Sequence, residues 1–263
     1  MSILYVGDTH GYVENFDQIE RRALAAKASA IVQLGDFGIF WPGNQRRLVQ
    51  YFEKRTRQGK RTSPWYFCDG NHDEHDVLDQ LWEESGRRDV VEVAPNCFHV
   101  RRGSVVEIEG VKHIFCGGAR STDRGFGYRE FVKRGKKHDR IWWPQEAPSQ
   151  EDLTRFFDNL NLHKPDVVVT HDSPVCIELY RDGRNSDPTA QGFQRILQLS
   201  EHKPKRWFFG HHHTLETWIS DFGVEFYCGG LHGEGWVWNP RTGTFNAKEL
   251  DNKGRLWEAL QAS

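Results

Sequence analysis

The sequence predicts an α/β layered fold, and three observations carry the prediction. Short runs of β-branched and aromatic residues alternate with amphipathic stretches through the first half of the chain. Three later runs follow one another across very short connections, so part of the pairing is antiparallel. Five strand-like runs end in turns built from Gly, Asp, His and Asn, which gathers polar side chains at strand ends.

The elements follow in order. Ile3–Val6 reads as a strand, and 14–28 as a helix with Phe16, Ile19, Ala23 and Ala26 near one face. Ala30–Leu34 is the next strand, followed by a helix over 44–58 that aligns Leu48, Val49 and Phe52. Trp65–Cys68 precedes a third helix over 74–85, with Val77, Leu78, Leu81 and Trp82. Cys97–Val100, Ser104–Ile108 and Lys112–Cys116 are strands joined by hairpin-like turns at Arg102-Gly103 and Glu109-Gly110.

A loop rich in Gly, Arg, Lys and Trp then runs over about 117–148. Loops this long inside a compact domain are usually functional or mobile, and this one is expected near the active site. Ser149 begins a helix, with Asp152 as its capping-box partner and Leu153, Phe156, Phe157 and Leu160 on its apolar face. After the strand Val167–Thr170, a helix is expected over Gly192–Ser200. Strands follow at Trp207–Phe209, Thr217–Ile219, Val224–Cys228 and Trp236–Trp238. No repeat or low-complexity linker divides the chain, so 1–263 is expected to form a single domain.

Bulk composition narrows the function classes. The apolar fraction of 37% is joined by 25 glycines, an ordinary globular balance, and ten tryptophans carry much of the burial. With 35 Lys+Arg against 37 Asp+Glu, the net charge of −2 sets up no global field towards nucleic acid or membrane. No apolar run approaches the roughly 20 residues of a membrane span. The N-terminus also lacks a signal-peptide pattern. Five cysteines without a Cys-x-x-Cys pair suit free thiols in a reducing compartment, so a cytoplasmic protein is expected.

The polar turns carry the chemistry. They are Gly7-Asp8-Thr9-His10-Gly11, Gly35-Asp36-Phe37-Gly38, Asp69-Gly70-Asn71-His72-Asp73, His171-Asp172 and Gly210-His211-His212-His213. Asp8 and His10 are two residues apart, so in an extended segment both point to one side. The same alternation selects His211 and His213 and turns His212 away. Asp36 has two oxygens with which to bridge two cations. Asp8, His10, Asp36 and His213 then make one metal set, and Asp36, Asn71, His171 and His211 the other. Mixed nitrogen and oxygen ligands without thiolate suit Mn²⁺, Fe or Zn²⁺, and Mg²⁺ less well. Two divalent ions are expected, with Mn²⁺ the first choice.

In order and spacing, Asp8-x-His10, Gly35-Asp36, Gly70-Asn71-His72-Asp73, His171 and Gly210-His211-x-His213 resemble the calcineurin-like metallophosphoesterases. The resemblance implies a two-sheet αββα sandwich with a binuclear centre at the strand C-terminal ends. It implies phosphoester hydrolysis as the reaction and the same seven ligands. The chain departs from the protein-phosphatase branch, which continues its second motif with Asp-Arg-Gly, whereas Gly38-Ile39-Phe40-Trp41 stands here.

On this reading a metal-bridging hydroxide, formed because bound water titrates near ~7, attacks phosphorus. Asn71 helps to bind the phosphoryl group, and His72 protonates the leaving oxygen, with Asp73 orienting its ring. Arg120 is the candidate phosphate clamp, set against the reading of a solvated loop arginine. Asp172 is expected behind a ligand, and His232 either lines the pocket or sits in a surface loop. Trp142-Trp143-Pro144 either walls the cleft, stacks on a base or packs the loop onto the core. The substrate is a phosphoester of unspecified identity. Nuclease or nucleotide phosphodiesterase action is the alternative, with Lys54–Arg61 and Lys133–Arg140 as its basic stretches. A non-catalytic protein-binding scaffold is the remaining class, disfavoured because every ligand and His72 are present.

Overall fold

In the computed structural model, the described residues are 2–42, 46–60, 62–121, 141–177, 179, 187–245, 248–250 and 256–258. Much of the long loop and the stretch Lys133–Arg140 lie outside them. Fifteen strands are present among the described residues: β1 Ser2–Val6, β2 Ala28–Gln33, β3 Trp65–Phe67, β4 Val90–Ala94, β5 Cys97–Val100, β6 Ser104–Ile108, β7 Val111–Cys116, β8 Val167–Thr170, β9 Arg206–Phe209, β10 Thr217–Ile219, β11 Glu225–Cys228, β12 Gly235–Asn239, β13 Thr244–Phe245, β14 Lys248–Leu250 and β15 Leu256–Glu258. The helices are α1 Val13–Ala25, α2 Arg47–Arg57, α3 His75–Glu84, α4 Gln150–His163 and α5 Pro188–Leu199. None is long and apolar enough to cross a membrane.

Two mixed sheets form. The first runs β13-β12-β1-β2-β3-β5-β4 and the second β10-β11-β9-β8-β7-β6, while β14 and β15 pair as a separate ribbon. Strands β1, β2, β3 and β5 are mutually parallel, as are β7, β8, β9 and β11. Side-chain alternation sorts their residues between layers. Tyr5, Val32, Phe115, Val169 and Phe208 form one buried cluster between the sheets. Leu4, Val6, Ile31 and Phe67 face the other way onto Phe16, Ile19 and Phe52 of α1 and α2. On the far side, Ile114, Val168 and Trp207 meet Phe156, Leu160 and Phe193 of α4 and α5. Helices therefore cover both outer faces, which is the αββα sandwich.

Capping fixes where the second pair of helices begins. Ser149 Oγ accepts from the Asp152 N–H and the Asp152 carboxylate accepts from Ser149, as expected. Helix α5 begins four residues earlier than the apolar spacing indicated, because the Asp187 side chain caps it and Pro188 occupies its first turn. One connection differs from expectation. The Arg102-Gly103 turn is no hairpin, since β5 belongs to the first sheet and β6 to the second. In this part of the chain the hairpins are β4–β5 and β6–β7. A two-residue link reads alike in sequence whether the chain folds back or steps across to another layer.

Candidate metal centre

Each polar turn follows a parallel strand, β1, β2 or β3 in the first sheet and β8 or β9 in the second, so all five emerge along one edge. Main-chain bonds tie the turns together. The N–H groups of Thr9 and His10 donate to the Asp36 carbonyl, and Gly210 N–H donates to the His171 carbonyl. Glycines allow the close approach. At Gly70 a Cβ would lie 2.1 Å from the Asp36 nitrogen, and at Gly35, with φ of +91°, 2.3 Å from His171 Nδ1.

The expected residues converge. Asp8, His10, Asp36 and His213 each offer one ligand atom, all within 4.8 Å of one another, and Asp36, His171 and His211 do the same. Asp36 belongs to both groups. Its Oδ1 lies 3.1 Å from His171 Nε2, and its Oδ2 3.8 Å from His10 Nε2. Asn71 joins the second group, with Oδ1 3.2 Å from His171 Nε2. His171 Nδ1 is 2.8 Å from the Leu34 carbonyl, which assigns the ring proton to Nδ1 and turns the Nε2 lone pair inward.

The donor chemistry suits cations. His10 Nε2 and His213 Nε2 lie 3.2 Å apart beside the buried Asp8 carboxylate. Asp8 Oδ1 accepts from the main-chain N–H of His211, while its buried Oδ2 lies 3.0 Å from His213 Nε2. Burial raises the Asp36 carboxyl, but His171, His72 and His10 override it and hold it well below the usual carboxylate range. Burial pushes the His171 imidazole down, yet Asp36 carries it up to about 10. Burial lowers His10 against the pull of Asp36 and Asp8, whereas the bond to Asp8 raises His213. The carboxylates thus draw positive charge to these imidazole nitrogens, and a shared dication satisfies the same converging lone pairs.

The other expected residues fall around this cluster. His72 Nδ1 lies 3.3 Å from His10 Nδ1, and the main-chain N–H of His72 donates to Asp36 Oδ1. The fully buried carboxylate of Asp73 accepts from the main-chain N–H groups of Gly38, Gly70 and Phe37, so it clasps two turns together. His212 Nε2 meets Asp172 Oδ1 at 2.9 Å, which places Asp172 directly behind the His171 turn. Arg120 is exposed, and its charge acts on Asp187. His232 stands at the rim against Tyr12 and Asn15. Trp143 is buried, with only 1% of its surface exposed, while Trp142 is half-buried. Of the basic stretch Lys54–Arg61, Arg55 lies in the last turn of α2 and pairs with Asp17, and Arg61 lies outside the described residues.

Two features escaped the sequence reading. Trp41 stacks on His72, with centroids 5.1 Å apart and planes at 29°. The departure at Gly38-Ile39-Phe40-Trp41 was the available signal. Beneath the Asn71 turn, Arg102 donates to the Asp69 carboxylate, to Asp152 and to the carbonyls of Gln145, Glu146 and Ala147. Nothing local in the sequence marks those partners.

Comparison with known proteins agrees with this architecture. The family model described as calcineurin-like phosphoesterase matches residues 1–215. A lariat debranching enzyme from Schizosaccharomyces pombe is 25% identical over 238 residues, which is 80% of this chain and 48% of that one. The chain thus spans about half the length of that curated relative. A solved structure from Thermus thermophilus superposes with a TM-score of 0.55 at 15% identity, covering 93% of this chain and 96% of that one. A dimetal phosphatase from Danio rerio gives 0.50 at 12% identity, covering 90% and 91%. These two likenesses concern the fold. The family match, extending from the first strand to the last of the five polar turns, shows that the chain belongs to the calcineurin-like phosphoesterases.

Proposed function

We propose that the chain hydrolyses phosphoesters at a centre of two divalent metal ions, held by Asp8, His10, Asp36 and His213 on one side and by Asp36, Asn71, His171 and His211 on the other. The observation that carries this is Asp36, whose two carboxylate oxygens face different donor groups. When bound, the cations supply Lewis acidity to the phosphoryl oxygens and make water a stronger acid. The chain's own groups do the rest. A water oxygen bonds to phosphorus and gives up one proton to solvent, the bond from phosphorus to the leaving oxygen breaks, and that oxygen departs with the electron pair. The His72 imidazole gives it a proton. Asn71 and Arg120 hold the phosphoryl oxygens; Arg120 follows four residues after the end of β7, which pairs in parallel with β8.

The mixed imidazole and carboxylate donors favour Mn²⁺, with Fe and Zn²⁺ as the other metals of that class. All five cysteines are free and four are buried, which supports a reducing, cytoplasmic setting. Residues beyond the family match belong to the same unit, since β12 and β13 complete the first sheet beside β1; we read 1–263 as one domain. The substrate is a phosphomonoester or phosphodiester, and nuclease action is the variant that a debranching relative supports.

The test is metal analysis of purified protein, with hydrolysis of para-nitrophenyl phosphate and bis(para-nitrophenyl) phosphate after Mn²⁺ loading. Oligonucleotides serve as competitors. Two ions per chain and turnover of one ester class are expected, and both should be lost in Asp36→Asn. Turnover that persists in Asp36→Asn, or protein that takes up no divalent metal, would overturn the proposal.

A further inference from the structure

The turn Gly38–Trp41 supplies none of the seven proposed metal ligands and packs next to His72. Its shape is fixed from below. Asp73 Oδ1 accepts from the Gly38 N–H at 2.7 Å, and Oδ2 lies 3.4 Å from the Phe37 nitrogen. Gly38 has φ of +75°, and Phe40 is also left-handed at +62°. Phe40 is a bulky residue there, a conformation that persists only when surrounding contacts determine it. The turn ends by laying the Trp41 indole on the His72 ring, offset and at 29°.

The indole is itself supported. Trp143 meets Trp41 edge-on, with centroids 5.5 Å apart and planes at 60°. The main-chain N–H of Trp143 donates to Glu146 Oε1, and Arg102 holds the carbonyls of Gln145 and Glu146. A buried arginine therefore props Trp143, Trp143 props Trp41, and Trp41 backs the imidazole. On its other side His72 meets His10, whose Nε2 belongs to the first donor group.

We propose that Trp41 is a positioning residue for His72, an aromatic backstop that holds the imidazole over the two donor groups. The carboxylate expected to orient that ring, Asp73, acts indirectly by fixing the turn that presents the indole. Indole has one N–H donor and no acceptor, so it does not relay the proton. Its contribution is geometric. An offset aromatic contact biases a side chain's population by up to about tenfold. The inference rests on the reading of His72 as proton donor for its kinetic consequence, but not for its structural one.

Two measurements separate these. With ¹³C-labelled histidine, the His72 Cε1–H signal is identified by its disappearance in His72→Ala. The indole ring current should displace it, so it should move in Trp41→Ala and return most of the way in Trp41→Phe. A His72 signal unmoved by Trp41→Ala overturns the proposal. Kinetically, in Mn²⁺-loaded protein, Trp41→Ala should lower kcat by up to about tenfold on phenyl esters, with little change in KM. The loss should be far smaller on para-nitrophenyl esters, whose leaving group needs little protonation. Trp41→Ala should add no further loss in a His72→Ala background. Equal losses on both esters, or losses that add to those of His72→Ala, overturn it as well. A moved signal with kinetics indifferent to His72→Ala would instead refute the proton-donor role and leave the positioning contact standing.

Discussion

The side chains of the centre do not sit in the extended geometry from which alternation selected them. His10, Asp36, His211 and His213 all have positive φ, at 47°, 52°, 68° and 55°. Strain of this kind at four non-glycine positions concentrates at functional sites, where the surrounding structure determines it. Residue types and spacing therefore made the donors legible, but their direction comes from left-handed turns locked by main-chain bonds. His212 shows the difference. Alternation turned it away from the metals; in the structure its side chain is 97% buried and paired with Asp172, whose carboxylate also accepts from the Ser173 N–H. Replacing His211 by Ala should cost at least tenfold in metal affinity, as loss of a direct ligand. His212→Ala should keep two ions per chain but lose about 1–3 kcal/mol of stability, because a buried carboxylate loses a partner. Metal analysis and denaturant unfolding of the two variants check the contrast. Metal loss as severe in His212→Ala as in His211→Ala would show that His212 is a ligand.

At the scale of elements, the strands were legible because β-branched and aromatic runs of four to six residues have few other uses, and the helices because their apolar faces repeat. What stayed hidden was how the turns pack on one another. Gly70 is the case in point, since sequence shows only an ordinary turn glycine. A methyl group there would meet the Asp36 nitrogen at 2.1 Å and its Oδ1 at 2.2 Å, and both belong to fixed groups. Gly70→Ala should therefore displace the Asp36 carboxylate and weaken metal binding about 10–100-fold, the scale of losing support behind a ligand. The sheets should be far less affected, because β3 ends at Phe67 and its pairing with β2 and β5 precedes the turn. Metal titration followed by calorimetry, beside far-ultraviolet circular dichroism, measures both. Wild-type affinity in Gly70→Ala would mean that the two turns can separate without cost. The Arg102 network escaped for a similar reason. An arginine bonded to Asp69, Asp152 and three carbonyls of 145–147 joins segments about forty residues apart, and no periodicity encodes such a contact.

For the molecule as a whole, the layer between the sheets holds an ionisable pair that couples stability to pH. His113 on β7 is fully buried between the layers. Its Nε2 lies 2.7 Å from the Tyr5 hydroxyl of β1, and its Nδ1 2.9 Å from the Val111 carbonyl. The carbonyl can only accept, so Nδ1 carries the proton and Nε2 accepts from Tyr5. A second proton would place a charge between the sheets and leave two donors facing one another. Burial accordingly pushes the His113 imidazole down to about 4. The sign follows from proton counting. Between about 6.5 and 4 the unfolded chain takes up a proton at this histidine and the folded chain does not, so stability falls as pH falls. The contribution is fully present above about 6.5, is lost progressively towards 4, and amounts to about 3 kcal/mol across that window. His113→Gln removes the titration while keeping one donor and one acceptor. Unfolding by urea in the presence of chelator, which keeps metal binding out of the balance, gives the stability of both proteins from pH 7 to pH 4.5. His75, also buried and lowered to about 4, titrates in both and cancels in the comparison. Wild type should exceed the variant most at pH 7, and the gap should close as pH falls. A gap constant across that range would mean that the folded protein accommodates a charged His113, and that the two sheets part more easily than their packing implies.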